Sequence, residues 1–186
     1  WQYRRISGLI SAALEKNRNY FQAIAREYQQ ASSDDLQYRI ARREAHLADN
    51  ELAQAWNSMR QEPKSKQHKM DRVLTITYLN HALLSHISAL GAHREANIER
   101  FKNIESLFLQ IHNKMSEAGK ESTLREEKLS SDLSEMLMTL QQQIRNTEAG
   151  LKRQQLRLFY NIAATTSKII DELKRTSPGN FKRRYF

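Results

Sequence analysis

The 186 residues contain no cysteine, so the chain has no disulfide framework, no thiolate zinc site and no cysteine nucleophile. Two prolines and five glycines are too few for the turns of an all-β domain. No uninterrupted apolar run reaches the ~18 residues of a spanning helix. No signal-peptide pattern opens the chain. These absences describe a soluble piece, and a start at Trp1 rather than Met reads as one excised from a longer protein.

What is abundant is Ala, Leu, Gln, Glu, Arg and Lys, the residues that lose least on entering a helix. The expectation is an all-α chain forming one domain over residues 1–186. The net charge of +9 is spread out: residues 1–60, 61–120 and 121–186 carry +2, +3 and +4 of it. Spread charge is the mark of a solvated helical surface. The exceptions are the two ends, WQYRR and FKRRYF, where cations and aromatics alternate.

Apolar periodicity predicts six helices, over about 3–30, 34–61, 66–94, 97–117, 123–147 and 151–175. Ile6, Ile10, Ala13, Phe21, Ile24 and Tyr28 stripe the first. Ser32 and Asp35 have capping-box spacing before the second, which stops ahead of Pro63 because Glu62 is pushed out of helical geometry. Ile98, Phe101, Ile104, Phe108, Ile111 and Met115 form the series of the fourth. Gly150 is the weakest boundary, and one bent rod is the alternative there. With short loops the helices should pack as an antiparallel bundle of about six long helices. An even count of reversals would bring both basic-aromatic ends to one side, in the manner of segments beside a membrane.

The stretch LNHALLSHISALGAHRE places His81, His86 and His93 on one predicted helix. Helical geometry separates His81 and His86 by about 140°, and His86 and His93 by ~10 Å along the axis. Zinc needs donors within ~2.1 Å of one centre, which two histidines on a helix achieve at i,i+4 and not at i,i+7. No histidine has a glutamate three positions before it, so the di-iron bundle pattern is missing. A site assembled across helices stays open on sequence. There is no G-x-S-x-G elbow and no phosphate-binding glycine loop. The positive reading is packing: Leu79, Leu83, His86, Leu90 and His93 recur at 4-3-4-3 spacing beside a strip of small residues. His86 and His93 would then bond between helices at the edge of the core.

The second predicted helix has two characters. Tyr38, Ala41, Ala45, Ala48, Leu52, Ala55 and Met59 give a narrow seam for another helix. On another face Arg39, Arg43, His46 and Asn50 repeat with the same spacing. One reading is a salt-bridged surface, with acids such as Asp49 and Glu51 nearby. The other is an anion or acidic-partner groove, since arginine forks match carboxylate and phosphate.

Two segments together, YRIARREAHLADNELAQAWNSMRQEP (38–63) and YLNHALLSHISALGAHRE (78–95), resemble the cytoplasmic C-terminal region of YccS/YhfK-type bacterial inner-membrane proteins. Those are similar to the fusaric-acid-resistance group, which includes aromatic-acid exporters. The resemblance rests on Tyr38, Glu62, Pro63, Asn80, His81, His86, Ser88, Leu90 and Gly91, among others, and covers about a quarter of the chain. It implies a cytoplasmic helical domain that follows a transmembrane region of an efflux-type transporter and supports assembly or gating. It implies no catalytic residue, no metal and no cofactor. The partners implied are the rest of the parent protein, further copies of it, and the inner-membrane surface through Arg4, Arg5, Lys182, Arg183 and Arg184.

Two other functions compete. Arg39, Arg42, Arg43 and His46, joined by His93 or Arg94, would make an organic-anion sensor. The basic balance would suit nucleic acid, but the charge is scattered and no recognition motif is present.

Overall fold

A computed structural model of the chain describes residues 2–29, 35–61, 70–93 and 123–176. Among them every regular element is helical: α1 Gln2–Gln29, α2 Leu36–Arg60, α3 Met70–Ala92, α4 Thr123–Asn146 and α5 Leu151–Thr176. The five ranges agree with five of the six predicted helices to within four residues. The predicted helix at 97–117 lies outside the described residues, as do Ser32, Glu62, Pro63, Arg94 and residues 182–184.

The starts and stops have local causes. Asp35 is the N-cap of α2, yet its side chain makes no capping bond. Its carboxylate instead takes Arg39 Nε at 2.9 Å, one turn on. The break between α4 and α5 is a four-residue turn, 147–150. Gly150 adopts φ +157° there, a conformation that costs a side-chain-bearing residue dearly. Arg153 Nε closes the turn on the Thr147 carbonyl at 2.6 Å. The bent-rod alternative is therefore replaced by two helices.

Two apolar clusters organise the packing. At one end Ile6, Ile10 and Ala13 of α1 meet Leu52 and Met59 of α2 and Val73 and Ile76 of α3. Further along, Tyr20, Phe21 and Ile24 meet Tyr38 and Ala45 of α2, Leu83, Leu84, Ile87 and Leu90 of α3, and Leu156, Phe159 and Ile162 of α5. The start of α1 thus lies by the end of α2, and these two helices run in opposite directions. Burying each such side chain fully contributes roughly 1.5–3 kcal/mol. α4 reaches this core through Met136 and Leu140. It also pairs Leu133 with Ile170 of α5.

The alanine-rich seam of α2 is used inside the chain. Tyr38, Ala45, Leu52 and Met59 are buried against α1 and α3. α3 is long and apolar enough to cross a membrane by length and composition. Its apolar residues nevertheless pack on α1, α2 and α5, as in the central helix of a core.

Candidate functional site

The most developed polar feature is a chain of buried groups across α1, α2 and α3. Asn17 Nδ2 donates to Asn80 Oδ1 at 2.9 Å. Asn80 Nδ2 donates to Asp49 Oδ1 at 2.7 Å. The second oxygen of Asp49 lies 2.7 Å from Nδ1 of His81. Asn17, Asp49 and Asn80 are buried, Asp49 at 6% exposure. The His81 side chain is 70% exposed, so the network opens to solvent at one point. A buried carboxylate is tolerable only with such partners. Sequence reasoning had placed Asp49 on a salt-bridged surface; it is an inward-facing acid that receives its bonds from α3. Asn17 was not singled out at all.

A second focus surrounds Gly91. Tyr20 and Tyr38 place their hydroxyls 3.2 Å apart with rings tilted at 5.6 Å between centroids. A Cβ on Gly91 would stand 3.0 Å from Tyr38 Oη and 3.3 Å from Tyr20 Oη. Glycine is what lets α3 approach both phenols. Burial, then the Tyr38 hydrogen bond, pushes the Tyr20 phenol well above its ordinary range. Ser88 faces the same place, and its hydroxyl acts on the Tyr20 phenol in the opposite sense. Leu90 is buried, and its carbonyl accepts from Tyr28 Oη at 2.9 Å.

His86 is half-buried on α3, and desolvation lowers its imidazole pKa. His93 is half-buried just beyond the last turn of α3, its N–H reaching the Leu90 carbonyl at 3.2 Å. The histidine seen bonding between helices is His81.

Arg39, Arg42, Arg43 and His46 are all exposed on α2, but Arg42, one turn on from the buried Tyr38, lies beside the seam and its charge acts on the Tyr20 phenol. Lys16 pairs with Glu44 next to them at 2.9 Å. A cavity of about 420 Å³ lies elsewhere, between the start of α1 and the second half of α2, lined by Arg5, Ile6, Leu9, Glu51, Gln54, Ala55, Ser58 and Met59. None of the four candidate anion-binding residues lines it. Among the described residues no three His, Cys, Asp or Glu side chains gather closely enough to hold a metal ion.

The described helices thus carry buried interhelical bonds and exposed cations on α2. The chain is 42% identical over 95 residues to the inner membrane protein YccS of Escherichia coli strain K12. Half of the chain is homologous to a YccS-type inner-membrane protein. An uncharacterized protein of Haemophilus influenzae is 36% identical over 105 residues, 56% of the chain. The matched segment takes in 51% of this chain but only 13% of YccS, and 14% of the second protein. No family profile and no solved structure matches the chain. The YccS relationship and the helical fold together describe a helical portion related to one stretch of a much longer membrane protein.

Proposed function

We propose that the chain is a cytoplasmic helical domain of an efflux-type inner-membrane transporter, non-catalytic, that supports assembly or gating. The observation that carries this is the identity to YccS over half the chain but only 13% of that protein's length. A segment of that proportion is a part of a membrane protein, and its chemistry is that of a packed bundle.

The packing supports a gating or assembly role in a particular form. α1 starts in the cluster around Ile6, and Leu173 near the end of α5 packs on the same cluster. Both ends of the helical unit therefore face one side, where connections to a transmembrane part would emerge. The Asn17–Asn80–Asp49–His81 chain fastens α1, α2 and α3 to one another. Three helices locked in this way move as one body, which is what transmitting a displacement requires. Because the alanine seam is occupied within the chain, contacts between copies would use another face.

The test is direct. Transmembrane segments encoded immediately before Trp1 are expected, and their absence removes the reading. Deleting the domain from the parent protein should impair crosslinked assembly or export. Full assembly and export without it would show that the domain does neither.

A further inference from the structure

Residues 73–92, all of α3 but its first turn, include no Asp, Glu, Lys or Arg. One side of this helix is accounted for: Ile76, Asn80, Leu83, Ile87 and Leu90 are buried among α1, α2 and α5. The other side stays open among the described residues. At 100° per residue, Thr75, Tyr78, His81, Ala82, Ser85 and Ala89 fall within ~120° of one another, opposite the buried series. Thr75, Tyr78, His81 and Ser85 are exposed, Tyr78 at 69%, and the two alanines are half-buried.

A helix with one side in water carries charges there, as α2 does at Arg39, Arg43 and Glu51. A helix free of charge all round is enclosed, by other helices or by lipid. Lipid does not suit the outer side of α3. It would lie against His81, whose Nδ1 is 2.7 Å from the Asp49 carboxylate, and an ionisable pair is costly in hydrocarbon. A protein cover seated over Ala82 and Ala89 leaves His81 at its margin, in water.

The chain itself supplies a cover of matching length. α3 ends where its Leu90 carbonyl accepts from Tyr28, whose hydroxyl is bonded in turn by Gln155 near the start of α5. α4 begins at Thr123, ~15 Å before Leu133, which meets Ile170 near the end of α5. Residues 94–122 therefore carry the chain from one end of the bundle to the other. Within them Ile98, Phe101, Ile104, Phe108, Ile111 and Met115 recur at helical spacing. As a helix, residues 97–117 would cover ~31 Å, against ~34 Å for α3. A reversal at 94–96 sets Phe101 opposite Ala89 and Phe108 opposite Ala82, large beside small. A second copy has to reach this face from solution, whereas 97–117 is tethered beside it at an effective concentration on the order of millimolar.

We propose that the outer side of α3, from Tyr78 to Ala89, is the docking face for residues 97–117 of the same chain, which lie outside the described residues. The docked segment runs antiparallel to α3 and encloses it. That accounts for the membrane-like hydropathy of a helix inside a packed bundle. It also withdraws this face from contacts between copies. The proposal does not rest on the transporter reading.

The chain lacks cysteine, so engineered pairs report without background. In the full chain under mild oxidation, Ala89→Cys/Phe101→Cys and Ala82→Cys/Phe108→Cys should each form an intramolecular disulfide in most molecules, seen as faster migration on non-reducing gels. Met138→Cys/Phe108→Cys, which tests the exposed side of α4 instead, should stay reduced. Ser85→Arg gives a reading that needs no crosslink. On a face open to water it would leave the melting temperature unchanged, and beneath the docked segment it should lower it by about 5 °C. The proposal is overturned if both α3 pairs stay reduced, whether or not the α4 pair closes. It is equally overturned if they crosslink only between copies, or if Ser85→Arg melts like the parent.

Discussion

Nδ1 of His81 lies 2.7 Å from one carboxylate oxygen of Asp49, and the other oxygen accepts from Asn80 at 2.7 Å. The two bonds differ greatly in setting, because Asp49 and Asn80 are buried whereas the imidazole is largely in water. Asp49→Ala leaves the Asn80 amide without its acceptor inside the core, and should cost about 3 kcal/mol in urea unfolding. His81→Ala removes an exposed partner and should cost less than about 1 kcal/mol. Equal losses in the two variants would mean that Asp49 is held by His81 rather than by Asn80.

Glycines at two positions on helices should respond in opposite directions. A Cβ at Gly8 meets nothing within 4 Å, so Gly8→Ala should gain about 0.5–1 kcal/mol from helix propensity. At Gly91 the Cβ would meet Tyr38 Oη at 3.0 Å and Ile24 Cδ1 at 3.1 Å. Both neighbours are buried and cannot swing aside. Gly91→Ala should therefore cost about 1–3 kcal/mol despite alanine's better propensity. Adding Tyr38→Phe removes the closest atom, and the double variant should recover part of the loss.

The helix ranges were legible because each apolar stripe keeps a helical period for six or more turns, and that signal needs no knowledge of neighbours. The role of α2's seam was legible for the same reason; which helix fills it was not. The polar network was missed because its members lie on three helices and meet only after packing. A signal was nonetheless present. Asn17 stands between Ala13 and Tyr20, Asp49 between Ala45 and Leu52, and Asn80 between Ile76 and Leu83, all at core spacing. A polar residue in an apolar register has to find a buried partner, and three such residues on three helices can satisfy one another. The arginine ladder shows the converse. Its periodicity was plain, and helical spacing already sets Leu36, Ile40 and Leu47 beside Arg39 and Arg43, but that these three side chains stay exposed depends on packing and is seen only in the structure.

Tyr28 joins three helices through one oxygen: it donates to the Leu90 carbonyl at 2.9 Å and accepts from Gln155 Nε2 at 3.1 Å. The amide oxygen of Gln155, Oε1, is buried without a partner. Tyr28→Phe should cost about 1–2 kcal/mol, since it strands the Gln155 amide altogether. Gln155→Leu in that background removes the stranded group and should restore stability, whereas in the parent it should be near neutral. A double-mutant cycle that shows no coupling would contradict the shared bond.

His86 supplies the pH dependence. Burial disfavours its imidazolium, so the folded pKa lies below the ordinary value of about 6.5. Between those two values the unfolded chain binds more protons than the folded one. Stability therefore rises with pH across that window. The contribution is fully present above about 6.5 and is lost as pH falls through the folded pKa. Urea midpoints measured at pH 7.5 and pH 5 should fall more for the parent chain than for His86→Gln, which cannot titrate. Resolved imidazole signals in an NMR titration separate His86 from the exposed His46 and His81. A midpoint above 6.5 for His86 would show that a bonding partner, rather than desolvation, governs its proton.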